Sequence, residues 1–443
     1  MKKTGTEKPI APKIIPRPAH NVSRDDISKS ALKVLYRLHN SGYQAFLVGG
    51  CVRDALLGLH PKDFDVATNA TPDQIRALFE NCRLIGRRFR LAHVRFGREI
   101  IETATFRAAA IHEADDVAHD TEGRILRDNV YGTIEEDVWR RDFTCNALYY
   151  NIADFSIWDY TDGVADVEGR RLVLIGDADL RLREDPVRML RAVRFAAKLG
   201  FTIDPTVVQS MHKHAGLISN VPAARLFDEF LKMFETGFAE RTFDLLCEHK
   251  LFAELFPATD EEMNRDPAFM KFVRAALQST DARVAANKPV TPMFLLGVFF
   301  WAPTVRLAAI RGREEQLSES QAISLASYEL MQQQQRRISI PKRFTIPMRE
   351  MLALQPRFET RHGKRGRSFL EHKRFRAAYD FMLLQSEVGL VDKEVADFWT
   401  TVQTQSADAR AKSFEIGGPG SGAGKKRKRR RRRNKGGPAA GSS

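Results

Sequence analysis

A chain of 443 residues, 43% of them hydrophobic, is too long for one ordinary domain and too apolar to be disordered throughout. The formal net charge is +14, and ten positive charges lie in residues 425–435, which favours a polyanionic partner. Four widely spaced cysteines without a CxxC pair argue against a zinc site and against a disulfide framework.

The first part of the chain predicts alternating helices and strands. Residues 1–22 contain four prolines and no apolar period, so we expect a loose arm, and this arm lacks the apolar segment of a secretory signal. Ser23 is expected to cap a helix that ends near Gly42, and a short buried strand and a helix follow. A strand over residues 63–68 and a helix capped by Thr71 complete the series.

Further along, the predicted elements change from strands to helices. Residues 91–106 predict two strands joined at Gly97, and the polar residues 107–130 predict a flexible loop near the site. Residues 135–151 predict a helix, and residues 161–169 predict a turn and loop between two strands. From Arg183 onward almost every segment has helical spacing.

The longest apolar run, residues 293–302, lies between two prolines. Its ten residues are too few to span a bilayer, so we expect a buried helix and no transmembrane segment. Together with the lack of a secretory signal, this predicts a cytoplasmic protein.

Two acids on the predicted strand over residues 63–68 suggest a metal site. Asp63 and Asp65 are two positions apart, so their side chains would leave the strand on the same face, with Cα atoms roughly 6–7 Å apart. Mg²⁺ prefers oxygen ligands and commonly binds a pair of carboxylates together with substrate phosphates. Two like charges this close are costly without a cation, which favours a metal between them.

Gly49 and Gly50 precede these acids, between a predicted strand and a predicted helix. Residues without a Cβ allow a phosphate to approach the backbone, the N-terminus of the helix attracts anions, and Arg53 would add positive charge. Gly-Gly alone equally fits a tight turn, and Asp-x-Asp alone is a common pattern. Their order, strand, Gly-Gly, helix and then Asp-x-Asp, is what favours a nucleotide site.

This order resembles the signature of the class II nucleotidyltransferase superfamily, which contains bacterial poly(A) polymerases and tRNA CCA-adding enzymes. The stretch RRDFTCNALYY, residues 140–150, is similar to the family motif that holds the ribose and phosphates. The stretch EDPVRMLRAVRF, residues 184–195, is similar to the motif whose Asp and Arg read the base.

The resemblance implies a role for each matching residue. It makes Asp63 and Asp65 metal-binding catalytic carboxylates and Asp142 a catalytic residue near the sugar and the active site. Glu102 is a candidate third carboxylate of the catalytic set. The implied cofactor is Mg²⁺, two ions, with Mn²⁺ as an alternative. The implied nucleotide-binding residues are Gly49, Gly50, Arg53, Arg141, Asn146, Asp185, Arg188, Arg191 and Arg194.

The base-reading motif also has a physical rationale. Asp185 and Arg188 are three positions apart, so we expect them on one face of a helix, with Arg191 and Arg194 continuing the stripe toward phosphates. A carboxylate accepts from an exocyclic amine and a guanidinium donates to ring nitrogens, which suits adenine or cytosine without a template. An ordinary surface ladder of charges has the same spacing.

The C-terminal part contains a second basic segment. Residues 357–376 hold eight Lys or Arg against two acids, with Phe358, Phe369 and Phe375 between them. Base-stacking aromatics amid positive charge suit single-stranded RNA, although the same aromatics equally fit a helix core. Residues 367–384 resemble the C-terminal segment of bacterial poly(A) polymerases. The predicted RNA-binding residues are Arg365, Arg367, Lys373, Arg374, Lys425, Lys426 and Arg427.

The last segment is a Gly-rich linker followed by the basic run at residues 425–435. Such a run repels itself and is expected to be disordered. RNA or DNA is the simplest partner, and a solubilising tail or an anionic membrane surface are the alternatives.

The fold class predicted from these features is α+β, with an N-terminal α/β nucleotidyltransferase head built on a mixed sheet, followed by an elongated all-helical neck and body. The expected domains are a flexible arm (1–22), the catalytic head (23–155), a neck with base recognition (156–250), a helical RNA-binding body (251–410) and a disordered basic tail (411–443).

The resemblance implies template-independent addition of AMP from ATP to RNA 3′ ends, with release of pyrophosphate and two metal ions. The alternatives are CCA addition to tRNA and a non-enzymatic RNA-binding scaffold. The expected partners are ATP, RNA 3′ ends and RNA-decay proteins, and the expected state is a monomer.

Overall fold

The computed structural model describes residues 11–86, 90–108 and 130–415. Most of the predicted loop at 107–130 and the residues Lys425, Lys426 and Arg427 lie outside these ranges. The chain divides into two compact units, one of residues 1–303 with 329–345 and one of residues 304–328 with 346–443. We call them the first and the second unit.

The first unit contains an eight-stranded sheet in the order β1-β8-β7-β2-β3-β6-β5-β4. The strands are β1 Lys13–Ile15, β2 Ala45–Val48, β3 Asp65–Thr68, β4 Cys82–Ile85, β5 Leu91–Phe96, β6 Glu99–Thr105, β7 Leu148–Asn151 and β8 Ile157–Asp159. Neighbouring strands are antiparallel except β3 and β6, which are parallel, so the sheet is mixed, as predicted. A small parallel pair is formed by β9 Arg171–Leu172 and β10 Thr202–Ile203.

Five short helices belong to the sheet region. They are α1 Lys29–Asn40, α2 Gly50–Leu56, α3 Pro72–Leu78, α4 Ile134–Arg140 and α5 Gly163–Glu168. Helices α1 and α3 contact strands on one side of the sheet. On the opposite face, Ile134 and Val138 of α4 join a buried cluster with Phe46, Val48 and Tyr149, because alternate residues of β2 and β7 point to that face.

The rest of the described chain is helical, as predicted, except that residues 411–415, expected to begin a disordered tail, form the end of a helix. The α-helices are α6 Ala178–Glu184, α7 Val187–Leu199, α8 Pro205–His214, α9 Ala223–Phe234, α10 Ala239–Glu248, α11 Leu251–Leu255, α12 Pro257–Arg265, α13 Pro267–Ala285, α14 Pro292–Glu314, α15 Glu319–Gln334, α16 Lys342–Ala353, α17 Gly363–Phe369, α18 Phe375–Glu387, α19 Lys393–Thr404 and α20 Ala407–Glu415. The 3-10 helices are Arg17–Ala19, Arg24–Asp26, Thr144–Asn146, Ala215–Asn220 and Gln355–Glu359.

Helix α14 contains the apolar run noted in the sequence. By length and composition it could cross a membrane, but half of its most apolar window is buried inside the protein. Within the first unit, Phe299 of this helix packs against Phe230, Phe234, Phe252 and Phe256 at ring separations of 5.1–6.4 Å. A core helix of a soluble protein satisfies the same test, so one such helix is weak evidence for a membrane span.

Two local predictions near the N-terminus are wrong. The segment expected to be a loose arm contains β1, whose Ile15 is buried and pairs with Ile157 at the edge of the sheet. The helix expected from Ser23 begins at Lys29, because Ser28 supplies the cap by accepting from the N–H of Ala31.

Two predictions around the second motif also differ from the structure. Residues 135–151 are not one helix, because β7 forms at Leu148–Asn151 and completes the sheet beside β2. Residues 161–169, expected as turn and loop, include α5. The Asp159 carboxylate accepts hydrogen bonds from the N–H groups of Thr161, Gly163 and Val164, which satisfies the free donors at the start of this helix.

Candidate active site

The glycine turn and the acidic pair lie side by side on the sheet. Val48, the last residue of β2, pairs with Asp65, the first residue of β3. Gly49 follows with a φ of 80°, a backbone conformation that residues with a side chain rarely adopt, and α2 begins at the next residue. The backbone therefore changes from strand to helix directly beside Asp65.

Asp63 and Asp65 share one side of the chain. Phe64 between them is buried, whereas both acids are exposed, which is the alternation of an extended segment. Asp63 precedes β3 rather than lying inside it as predicted. The shared orientation predicted for the two acids does not depend on that difference.

Glu102 is the register partner of Asp65 on the parallel strand β6. Although Asp65 remains accessible to solvent, the protein around its carboxylate removes part of the surrounding water, and the negative charges of Glu102 and Asp63 add to this effect. The pKa of Asp65 therefore rises to about 6 despite the opposing charge of Arg141. A carboxylate in this position gains from any cation that binds beside it. The acidic donors thus have the chemistry that a hard divalent ion requires.

Within the described ranges, no three His, Cys, Asp or Glu side chains are arranged as a preformed metal centre. A cation held by a pair of carboxylates completes its coordination with other oxygens, such as those of a phosphate or water. This is the usual arrangement for Mg²⁺, which keeps several non-protein ligands.

Arg141 brings positive charge to the glycine turn. Its Nε donates to Tyr149 Oη at 2.8 Å and to Asp137 at 3.2 Å, and Nη2 donates to Asp137 at 2.9 Å. Nη1 lies 3.7 Å from the position that a Cβ on Gly49 would take. The guanidinium is thus fixed by two partners with one nitrogen beside the turn, where it can bind an anion.

Asp142 is held in a buried network. Arg191 donates to Oδ2 from Nε at 2.7 Å, while the N–H of Phe143 and the amide of Asn146 donate to Oδ1 at 2.8 and 3.3 Å. Burial by itself would raise the pKa of Asp142, but the Arg191 guanidinium and these hydrogen bonds lower it below the usual value. Arg53 extends the network by donating to Asn146 Oδ1 at 2.5 Å.

The predicted base-reading pair is arranged differently from the expectation. Asp185 lies between α6 and α7 in extended conformation, so it does not share a helical face with Arg188, and that part of the prediction is wrong. The motif has Pro186 directly after Asp185, and a residue before proline is disfavoured in a helix. Both oxygens of Asp185 accept from Arg225 at 2.8 Å, and Arg188 donates to the carbonyl of Arg181 at 2.7 Å.

Arg191 and Arg194 converge on a buried acid of α9. Glu229 accepts from Arg194 Nε at 3.2 Å, and its other oxygen lies 4.0 Å from Arg191 and 3.4 Å from Lys232. Neither Glu229 nor Arg225 is among the site residues that the sequence predicts. Glu229 could have been found as a lone acid on the apolar face of α9, next to the buried Phe230.

The predicted stacking aromatics of the second unit are core residues. Phe358, Phe369 and Phe375 are buried and pack against Trp399 at ring separations of 5.5, 5.3 and 5.7 Å. The expectation that they stack on RNA bases is therefore wrong. The packing alternative left open by the sequence is what the structure contains.

The basic residues of this segment fall into two groups. Arg365 and Arg367 are exposed on α17. Lys373 and Arg374 both pair with Glu350, at 2.9 and 2.8 Å. The first group is the freer to meet a phosphate backbone.

Three family descriptions match successive parts of the chain. The Poly A polymerase head domain matches residues 45–173, and the probable RNA and SrmB-binding site of polymerase A matches residues 200–263. The polymerase A arginine-rich C-terminus matches residues 315–435. The first match covers the glycine turn, the acidic strand and the network around Asp142.

Individual relatives agree with these matches. Poly(A) polymerase I of Escherichia coli O6:H1 is 49% identical over 383 residues, which are 85% of this chain and 82% of the relative. The CCA-adding enzyme of Bacillus pumilus is 35% identical over 53% of this chain and 57% of its own.

The fold has solved counterparts in the same superfamily. The crystal structure of the Bacillus stearothermophilus CCA-adding enzyme in complex with CTP has a TM-score of 0.52 and 25% identity, covering 84% of this chain and 82% of that one. The mixed sheet followed by helices matches the nucleotidyltransferase fold, so the predicted fold class and superfamily are confirmed. With 43–49% identity to several poly(A) polymerases I over most of its length, the chain belongs to the poly(A) polymerase I family.

Proposed function

We propose that this protein is a polynucleotide adenylyltransferase that adds AMP from ATP to RNA 3′ ends without a template. The observation that carries the proposal is the register of the sheet, which brings the glycine turn, Asp65 and Glu102 onto three neighbouring strands. CCA-adding enzymes share the fold but are more distant in sequence.

The reaction forms a bond between the RNA 3′ oxygen and the α-phosphorus of ATP and breaks the bond to pyrophosphate. Asp63 and Asp65 would hold divalent ions, Mg²⁺ by preference and Mn²⁺ as an alternative, which when bound supply Lewis acidity at the reacting phosphate. Glu102 stands next to this pair as the candidate third carboxylate.

The protein groups around the turn bind and orient the nucleotide. Gly49 lets the triphosphate approach the backbone, and the Nη1 group of Arg141 beside it contributes a hydrogen-bond donor and positive charge. The Asp142 network fixes the chain that follows Arg141 at the edge of the site. Holding the phosphates in a fixed position can lower the activation free energy of such a transfer by a large amount.

Asp185 and Arg188 are proposed to read the base. Asp185 is held by Arg225 through both oxygens, and each oxygen keeps lone pairs that can accept from an exocyclic amine. Adenine and cytosine both carry such an amine, so this contact serves base recognition without by itself choosing between them.

RNA is the second substrate. Arg365 and Arg367 are exposed in the part that matches the arginine-rich C-terminus, and they are proposed to bind the phosphate backbone together with Lys425, Lys426 and Arg427. We further propose that the protein works as a cytoplasmic monomer, where ATP and RNA ends are both present, with RNA-decay proteins as partners.

An extension assay with separate nucleotides tests the proposal. ATP and CTP are offered singly with Mg²⁺ to a generic RNA and to a tRNA that lacks its 3′ end. Long tails from ATP alone on either RNA are the expected result. Uptake of CTP confined to the tRNA would instead identify a CCA-adding enzyme, and no incorporation in either reaction would leave an RNA-binding scaffold.

A further inference from the structure

The face of the sheet that carries the carboxylates is covered on one side of them and open on the other. On the side of β2 and β7, helix α4 buries Val48 and Tyr149. On the side of β6, β5 and β4, the described side chains of this face are exposed or partly exposed. The side chains of the open half are Arg83, Ile85, Leu91, His93, Arg95 and Ile100.

These residues belong to the same face as the site by strand register. Asp65 pairs with Glu102, Glu102 with His93, and His93 with Arg83, so one row crosses four strands from the catalytic acid to the edge of the sheet. At about 4.8 Å between strands, this row is roughly 14 Å long. The open half is therefore continuous with the carboxylates.

The charges of the open half suit a phosphate backbone. Arg83 and Arg95 are exposed, and neither forms an ion pair with a described residue. The two acids of this row, Asp65 and Glu102, both lie at its carboxylate end. An arginine without an acidic partner, near a site that handles a nucleic acid, is free to neutralise a phosphate.

The apolar residues of the open half are unusually exposed for their type. Ile85 is 41% and Ile100 is 43% accessible, and Leu91 beside Ile85 is only partly covered. Apolar side chains that are grouped on an exposed face and surrounded by polar residues indicate a binding surface for a ligand or a macromolecule. The flat faces of unpaired bases are apolar and fit such a surface.

The direction of the reaction decides between possible occupants. The attacking and leaving oxygens lie roughly in line through the α-phosphorus, so the RNA end and the pyrophosphate occupy opposite sides of it. The glycine turn and Arg141 Nη1 lie on the β2 side of Asp65, so a triphosphate bound as proposed above would occupy that side. The RNA 3′ end then has to reach the phosphorus from the β6 side.

We propose that the open half of the sheet, on β4, β5 and β6, is the docking surface for the last nucleotides of the RNA acceptor strand. Arg83 and Arg95 bind its phosphates, while Ile85, Leu91 and Ile100 contact its bases. The inference rests on the proposed function, because it uses the geometry of AMP transfer to an RNA end.

The first test measures the kinetics of a variant that lacks the two arginines of the open half. The double variant Arg83→Ala/Arg95→Ala of the full chain is expected to raise the KM for a short RNA at least 5-fold while the KM for ATP changes less than 2-fold. The dependence of log affinity on log salt should fall by about 1.4, since each phosphate contact on a single strand contributes ~0.7. The variant Arg83→Lys/Arg95→Lys retains the charge and should recover most of the affinity.

Arg76 provides the matched control. It is exposed on α3, which packs on the opposite side of the same strands, so Arg76→Ala removes one positive charge, half of what the double variant removes, without touching the open half. An RNA KM that rises in Arg76→Ala by half or more of the change in the double variant, on a logarithmic scale, would show a general charge effect and would overturn the proposal.

Photocrosslinking supplies a readout that does not need turnover. An RNA with 4-thiouridine at its penultimate position, irradiated with the wild-type protein, is expected to label peptides within residues 82–100. Labelling confined to other parts of the chain overturns the proposal and leaves the open half for a protein partner. A wild type that fails to add AMP refutes the proposed function separately, while the crosslink still decides where the RNA end lies.

Discussion

Two regions of this protein carry closely spaced charged residues, and the fold uses them in opposite ways. In the first unit, the alternation around Phe64 leaves Asp63 and Asp65 on the same side, where partial desolvation and the charge of Glu102 raise the pKa of Asp65. In the second unit, the phenylalanines between the arginines turn inward onto Trp399. On a sheet, strand register decides which charged side chains lie together. Along a helix, the charged residues between apolar ones often form only the solvent-facing side, while the apolar residues form a core.

The largest difference between the regions should appear in catalysis. Asp65→Asn and Asp63→Asn are each expected to lower AMP incorporation by at least about 10³-fold, because each removes a carboxylate from the proposed metal site. Single-turnover incorporation from ATP measures the loss. Asp73→Asn, an exposed acid on α3, is the control and should retain activity. Near-normal turnover in either site variant contradicts the metal assignment.

In the second unit, substitution of the buried phenylalanines should lower the free energy of unfolding. Phe369→Ala removes a fully buried ring next to Phe358 and Trp399 and is expected to cost about 3–5 kcal/mol of unfolding free energy. Urea unfolding followed by tryptophan fluorescence measures the change. Lys364→Ala, exposed on the same helix, should change the free energy by less than about 0.5 kcal/mol. Unchanged stability in Phe369→Ala would mean that the ring is not in a core.

A backbone contact in the first unit should give an intermediate effect. A Cβ on Gly163 would lie 2.3 Å from the carbonyl oxygen of Thr144, so Gly163→Ala must displace the turn that carries Asn146. We expect a loss of about 1–3 kcal/mol in stability together with weaker ATP binding. Thermal unfolding with and without ATP separates the two. Gly216→Ala, where a Cβ meets nothing within 4 Å, should be neutral in both.

The smallest effect should come from the exposed arginines of the second unit. Arg365→Ala/Arg367→Ala is expected to weaken RNA binding a few-fold and to reduce its salt dependence. Lys373→Ala/Arg374→Ala should have less effect, because both side chains pair with Glu350. Fluorescence anisotropy with a labelled RNA at several salt concentrations ranks the two variants. The reverse order would show that the Glu350 pairs open to bind RNA.

Sequence patterns predicted the parts of the site that depend on local order. Gly49, Asp63 and Asp65 were found because a strand turning into a helix and a period of two are both legible along the chain. Glu102 was legible as an acid on a neighbouring strand, but its exact pairing with Asp65 required the parallel register of β3 and β6.

The misses share a physical cause. Arg225 lies 40 residues from Asp185, and Glu229 lies 35 residues from Arg194, so no local period reports either contact. The local pattern of residues 148–151 predicts a helix, but they form a strand because they pair with β2, about 100 residues earlier. Pairing partners that are distant in sequence decided the structure at each of these positions.

The pairing of β1 with β8 has a practical consequence for handling the protein. Three residues, Lys13 to Ile15, satisfy the outer hydrogen-bonding groups of Ile157–Asp159. If the chain were shortened to begin after Ile15, those groups would become an open template for strands from other molecules. An N-terminal truncation that removes β1 is therefore expected to promote aggregation.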